Sequence, residues 1–334
     1  MFIRNDMDVS YVRVFHASPD APPVDIYVNG GLAFKNLAFK NFSEYVQLPM
    51  GEYKIEVFPA GQKETPVLTE NLQVPSKEVI TIAAAGSEGS PDTVITNENG
   101  MYKRGASGDA IRPKFSILNP ALTQTLSPYQ TACGITDIMA HLYERYLTNT
   151  KEVEVTDRQI EALLLTMVHE GPRAVEDSNN YEARANIMWA GMMAHNNSCG
   201  VGRSQDWNSH NIEHELSALY DCAHGAGLAV TMPAVFTYVM EQDVMRFAQV
   251  AVRVWGCQMD FEHPEVTAKA GIEAFRNFLI SIGMPKNFEE LGAKEEDIPK
   301  LVDVLCNGDG RPGYIRGFVE LNEEDCANIY KLML

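Results

Sequence analysis

The sequence predicts a multidomain chain: an all-β sandwich over residues 1–78, a short mixed α/β stretch over 79–120 and an all-α domain over 121–334. Three observations carry this. Short alternating apolar runs in the first part are separated by turn signals roughly every ten residues. From about residue 120 the apolar spacing changes to the helical period. Charge and cysteine divide in the same region: residues 1–77 hold 7 basic and 9 acidic side chains, the remainder 20 and 36. All six cysteines (Cys133, Cys199, Cys222, Cys257, Cys306, Cys326) lie in the later part.

The β elements follow in order. Tyr11–His16 is rich in strand formers, and Val24–Val28 alternates until Asn29-Gly30-Gly31, a hairpin signal. Tyr53–Phe58 alternates and stops at Pro59-Ala60-Gly61, and Glu78–Ile82 is a further strand. The expected pairing is antiparallel, with one alternating face as the core. His16, Asp20 and Asp25 flank a Pro-rich loop and read as turn chemistry. Phe115–Leu118 reads as a short apolar strand ended by Asn119-Pro120.

The helices are signalled by their caps and periods. Ser127-Pro128-Tyr129-Gln130 combines an N-cap Ser, Pro at the first helical position and Gln at N3. Ile160, Leu163, Leu164, Met167 and Val168 share a face that Gly171-Pro172 should close. Tyr181–His195 is a helix whose Met188, Trp189, Met192 and Met193 read as core, with lining of the substrate side as the alternative for Trp189. Gly227–Trp255 is helical in two pieces, Pro264 opens a helix running to about Gly283, and Glu323–Leu332 is the last. Cys199–Arg203, although glycine-rich, reads as an interhelical loop.

Composition excludes some functions. A formal charge of −18 argues against a nucleic-acid backbone or an anionic membrane as partner, both of which attract Lys and Arg clusters. No cysteine pair has CxxC spacing, and the N-terminus lacks the apolar stretch of a signal peptide. Free thiols in the cytoplasm are therefore expected.

The chemistry lies in three windows. Asp137 and His141 are four apart on one helix, about 6 Å along its axis. His210 and His214 are also four apart, and His224 follows in Cys222-Ala223-His224-Gly225-Ala226-Gly227, where glycine lets backbone approach closely. One carboxylate with several imidazoles suits Fe²⁺ or Zn²⁺. By spacing alone, either pair taken singly reads as an exposed helix pair or a satisfied core histidine rather than as ligands. Glu215, beside His214, reads as a helix N-terminal carboxylate or an acceptor behind a ligand.

At these residues the sequence resembles the iron-containing alcohol dehydrogenase family, in its butanol-dehydrogenase branch. The stretches that carry the resemblance are AAAGSEGSPDTVITNE at 83–98, KFSILNPALT at 114–123, GITDIMAHLYERY at 134–146, ARANIMWAGMMAHN at 183–196, SQDWNSHNIEHELSALYDCAHGAGLAV at 204–230 and GFVELNEEDCANIYKL at 317–332. The resemblance implies a helical domain of the dehydroquinate synthase-like type. It implies metal ligation by Asp137, His141, His210 and His224, with His214 as a proton relay. It also implies hydride exchange between NAD(H) or NADP(H) and a small alcohol or aldehyde, by a cytoplasmic enzyme with a second copy of itself as partner. Thr81, Ser87 and Lys103 match family positions near the nicotinamide cofactor, whereas Ala85 stands where many members have Thr.

The same resemblance marks an exchange. Family members begin with a dinucleotide-binding domain whose Gly-Gly-Gly-Ser stretch cradles the pyrophosphate, and the only Gly-Gly here is Gly30-Gly31. Residues 79–120 match only the last part of that domain. Before them, VRVFHASPDAPPVDIYVNG at 12–30 and LPMGEYKIEVFPAG at 48–61 resemble a bacterial β-sandwich family of unassigned function found mostly in cell-envelope proteins. The alternative expectation is therefore a catalytically inactive fusion of a β-sandwich interaction module with a metal-binding helical domain.

Overall fold

The computed structural model describes residues 9–14, 23–38, 41, 43–66, 68–74, 79–82, 90, 92–97, 102–108, 112, 116 and 118–334. The chain divides into two compact units, Met1–Glu88 with Pro113–Ile117, and Gly89–Arg112 with Leu118–Leu334.

The described elements of the first unit are all strands: β1 (Val9–Val14), β2 (Val24–Val28), β3 (Gly31–Leu37), β4 (Val46–Pro49), β5 (Gly51–Pro59), β6 (Leu68–Val74) and β7 (Val79–Ile82). They form a four-stranded sheet, β3-β2-β5-β6, and a three-stranded sheet, β4-β1-β7. The predicted hairpin at Asn29-Gly30 is present, with both residues at positive φ (50° and 78°), the type I′ geometry that matches strand twist. Val12 of β1 shares one apolar cluster with Val24, Ile26, Leu37, Ile55 and Val74 of the other sheet. Asp25 is buried, and its carboxylate accepts the backbone N–H of Asn36 (2.7 Å) and Gly61 (2.9 Å), tying β3 to the turn after β5. His16 and Asp20 lie outside the described residues. One expectation is corrected: β1 and β7 pair in parallel, with Arg13 opposite Thr81. A parallel pair needs a long crossover, and here the whole β2–β6 sheet lies between the two strands in sequence.

In the 79–120 stretch the described elements after β7 are a hairpin of β8 (Asp92–Asn97) and β9 (Tyr102–Ser107), with Thr96 opposite Lys103. Ser116 and Leu118 are not in a strand, and Phe115 and Ile117 lie outside the described residues.

The helical unit runs α1 (Pro128–Tyr146), α2 (Glu154–Glu176), α3 (Tyr181–His195), α4 (Asn208–Tyr220), α5 (His224–Val239), α6 (Val244–Arg253), α7 (Pro264–Ser281), α8 (Phe288–Leu291), α9 (Ile298–Asn307) and α10 (Glu323–Lys331). The α1 capping box forms as the sequence predicts. Helix α5 is buried along nearly its whole length and packs on α1, α4, α7 and α10. Each of its fully buried Leu, Val and Phe side chains contributes roughly 1.5–3 kcal/mol by leaving water.

Three expectations for this unit are corrected. It is not wholly helical: β10 (Tyr314–Arg316) and β11 (Glu320–Asn322) form a small hairpin, whose turn is held by the Phe318 N–H donating to Asp206 (2.9 Å). Helix α2 continues through Gly171-Pro172 to Glu176, because Ala174 buries in the core and Gly171 lets Ile135 and Phe278 come close. Trp189 is 57 % exposed rather than core, since Ala190 and Ala194 face inward instead. Cys199–Arg203 is an interhelical loop as expected. Buried Arg203 reaches Asp157 (2.7 Å), which also accepts Arg246 and Gln249 from α6. Among the described residues, no helix is long and apolar enough to cross a membrane.

Candidate metal centre

Three helix segments bring the predicted residues together. Helix α1 carries Asp137 and His141, the first turn of α4 carries His210 with His214 one turn later, and α5 begins at His224. Two glycines set the approach of α5. A Cβ on Gly225 would lie 2.1 Å from the Cys133 carbonyl oxygen of α1, and one on Gly227 would lie 2.4 Å from Glu213 Oε1 of α4. Helices α1 and α5 therefore touch backbone to backbone where His224 enters, and α5 meets α4 through the Glu213 side chain.

Asp137 Oδ1 is the focus. It lies 3.8 Å from His141 Nε2, 3.6 Å from His210 Nε2 and 3.5 Å from His224 Nε2. The His210 and His224 rings are 5.2 Å apart. His214 lies 6.1 Å from His210 and 5.4 Å from His224, ring to ring, so it borders the cluster.

The far nitrogens decide what the near ones can do. His210 Nδ1 is hydrogen-bonded to Glu144, and His224 Nδ1 to Glu213. A carboxylate accepts only, so each Nδ1 carries the proton and each Nε2 of the neutral ring presents a lone pair. Those lone pairs face Asp137 Oδ1, another acceptor, and neither His210 Nε2 nor Asp137 Oδ1 has a hydrogen-bond partner although both are buried. Acceptors converging on one point are what a cation satisfies. In a tetrahedral site with metal–ligand bonds near 2.1 Å, the ligand atoms stand about 3.4 Å apart, close to the three distances from Asp137 Oδ1; His210 and His224 gather with Asp137 in one group, and His141 gathers with Asp137 and His195 in another. The donor set fits a divalent iron or zinc.

His141 differs: Arg145 Nη1 stands 3.2 Å from its Nδ1 and donates to its carbonyl at 2.9 Å. Burial, then the neighbouring His195, pushes His141 well below the ordinary histidine range. Burial alone would raise Asp137, yet the surrounding histidines, His195 and His210 first, hold it well below the usual carboxylate range. Burial opposes charge on His210 too, but the Glu144 carboxylate outweighs it and raises the ring above the ordinary histidine range, so a metal binding there would displace a proton from Nε2.

Sequence reasoning missed three residues. His195 Nε2 reaches Asp137 Oδ2 (3.4 Å), while its Nδ1 pairs with the Gly191 carbonyl (2.7 Å). Glu144 and Glu213 are fully buried behind ligand histidines. Glu215, expected as a helix N-terminal carboxylate or a backing acceptor, lies in the middle of α4 and faces Arg311 at 3.9 Å. Two residues from Glu213 means about 200° around the helix, so both cannot serve the same ring. For a dinucleotide the described residues assemble no comparable set. Thr81 is in β7 of the first unit, Lys103 is in β9 of the second, and Ser87 lies outside the described residues.

A half-buried carboxylate ringed by imidazoles, in a mainly helical unit, is the geometry of a candidate metal site. The comparisons make it particular. Residues 131–334 match the C-terminal model of the Fe-containing alcohol dehydrogenase family, and the chain belongs to that family. Residues 10–108 match a domain of unknown function, DUF4397. The chain is 38% identical over 262 residues to NADH-dependent butanol dehydrogenase B of Clostridium acetobutylicum, covering 77% of this chain and 66% of that protein. It is 34% identical to the NADPH-dependent aldehyde reductase YqhD of Escherichia coli, covering 70% and 59%. The solved NADH-dependent butanol dehydrogenase A of Thermotoga maritima superposes with a TM-score of 0.72 at 35% identity, over 77% of this chain and 66% of that one. The chain thus spans slightly under two thirds of the length of these relatives.

Proposed function

We propose that this chain is a metal-dependent alcohol dehydrogenase or aldehyde reductase for small alcohols or aldehydes. Asp137, His141, His210 and His224 hold Fe²⁺ or Zn²⁺, and NAD(H) or NADP(H) is the partner cofactor. The observation that carries the reading is the convergence of His210 and His224 lone pairs on the unpartnered Asp137 Oδ1. When bound, the metal supplies Lewis-acid polarisation of a substrate oxygen, and the nicotinamide supplies or accepts hydride.

The chain's own residues do the rest. Asp137 contributes the negative charge of the site, and the buried histidines stay in place because each is held from behind. His214, whose ring lies 5.4 Å from that of His224, is assigned the passing of a proton at its ring nitrogen between the site and its surroundings. Thr81, Ser87 and Lys103 are assigned to the cofactor from the resemblance, and the names of the relatives support a nicotinamide. Residues 1–78 are assigned as a β-sandwich of unassigned function, 79–120 as a cofactor-domain remnant and 121–334 as the helical metal domain. Two sheets sharing one apolar cluster support the sandwich. Six cysteines with no disulfide among them suit the cytoplasm, and a second copy of the chain is the proposed partner.

One observation favours a second reading, a fusion without hydride chemistry. The strand bearing Thr81 is hydrogen-bonded into the sheet of the first unit rather than into a dinucleotide-binding sheet. Metal-loaded protein assayed for NADH and NADPH oxidation with butyraldehyde separates the two, with His224→Ala as control. Turnover abolished by His224→Ala supports the dehydrogenase. Metal binding without nicotinamide binding by calorimetry supports the fusion. Absence of metal overturns both.

A further inference from the structure

We infer that Glu144 and Glu213 are positioning residues of this centre, each fixing one histidine in the tautomer and orientation that ligation requires. The inference rests on the metal reading above and adds residues to it. Both carboxylates are fully buried, where an ionised acid is costly unless it is paired. Each is paired with a site histidine. Glu144, on α1 two turns beyond Asp137, accepts the His210 backbone N–H through Oε1 (3.0 Å) and the His210 ring Nδ1–H through Oε2. The backbone bond also places the carboxylate at the N-terminus of α4, where Trp207 at the N-cap offers no side-chain cap of its own. One acid thereby fixes both the start of α4 and the ring that α4 presents.

Glu213 does the same for His224 across the α4–α5 contact. Its Oε2 accepts the His224 Nδ1–H, and its Oε1 is buried without a hydrogen-bond partner. Gly227 gives it room, since any Cβ there would meet Oε1 at 2.4 Å. Were either carboxylate replaced by a donor, the ring proton would move to Nε2 and close the lone pair that faces Asp137. Carboxylates behind ligand histidines act this way in metal sites generally, and their loss weakens binding about 10–100-fold.

The test is zinc affinity by chelator competition for the full chain and for Glu144→Gln, Glu213→Gln and Gly227→Ala. The last leaves every ligand and both acids in the chain but displaces Glu213. Urea unfolding of the metal-free proteins reports fold, and ¹⁵N-histidine NMR reports which ring nitrogen bears the proton. The expected result is affinity about 10–100-fold weaker in each variant, with the affected ring losing its Nδ1–H signature. Where a glutamine variant unfolds, Gly227→Ala and the wild-type NMR decide. Affinities within twofold of wild type, or wild-type His210 and His224 protonated on Nε2 and not on Nδ1, overturn the inference. A wild-type chain that binds no zinc overturns the metal reading instead, and the tautomers of the metal-free protein still decide the roles of the two acids.

Discussion

Gly225→Ala tests how the site is built without touching a ligand. The new Cβ would lie 2.1 Å from the Cys133 carbonyl oxygen and 2.6 Å from its carbon, both backbone atoms of α1 that no rotamer change can move. A carbon approaches a carbonyl oxygen no closer than about 3.3 Å, so α5 must draw back by about 1 Å. His224 is the adjacent residue, and metal–ligand bonds tolerate only about ±0.2 Å. The substitution should therefore weaken zinc binding at least about tenfold, as a lost ligand-positioning contact does. Overpacking of this kind costs roughly 1–3 kcal/mol, at about 2–4 °C per kcal/mol for a domain of this size. The assay pairs zinc competition with thermal melting of the metal-free protein. Unchanged affinity and unchanged melting would refute the claim that the α1–α5 contact places His224.

Asp157→Asn should destabilise the helical unit by about 3–5 kcal/mol in urea unfolding, because it strips the shared counter-charge from buried Arg203 and from Arg246. Burial pushes Asp157 up, but Arg246 and Arg203 outweigh it and hold its carboxyl below the ordinary value. Its stabilisation is therefore full above about pH 4 and lost as pH falls through the folded value, a slope that Asp157→Asn should remove. Asp206 works in the opposite sense. Burial, then the Glu144 charge, pushes it up to about 7, so stability should fall as pH rises from about 4 towards 7. Asp206→Asn, which keeps an acceptor for the Asn208 and Phe318 amides, should flatten that fall. The β8–β9 hairpin is two-stranded, and two-stranded ribbons are marginal. Hydrogen exchange should find its amides less protected than those of α5, and equal protection would contradict this.

The parts of the fold that were legible in the sequence are those with local causes. The Ser127 capping box, the Asn29-Gly30 turn and the apolar face of α2 each follow from a few neighbouring residues. The end of α2 did not, because packing of Ala174 overrides the Gly171-Pro172 stop. The parallel pairing of β7 with β1 was equally hidden, since no local pattern encodes a partner more than sixty residues away. In the site, the candidate residues were visible by spacing, and their division into ligands and relay came from resemblance. Glu144 and Glu213 were overlooked because Glu in a helix ordinarily faces water. Their spacing was the available signal: Glu144 follows His141 by three and Glu213 follows His210 by three, each on the ligand face of its helix. His195 carried no such signal, being 58 residues from the Asp137 it touches.

The central claim is that Asp137 and its histidines hold one divalent transition metal. Metal analysis of the purified chain beside His224→Ala, before and after dialysis against a chelator, tests it most directly. One iron or zinc per wild-type chain is expected, removed by the chelator, restored by added metal and lost from the variant. A wild-type chain with no bound metal and no uptake of added iron or zinc would contradict it.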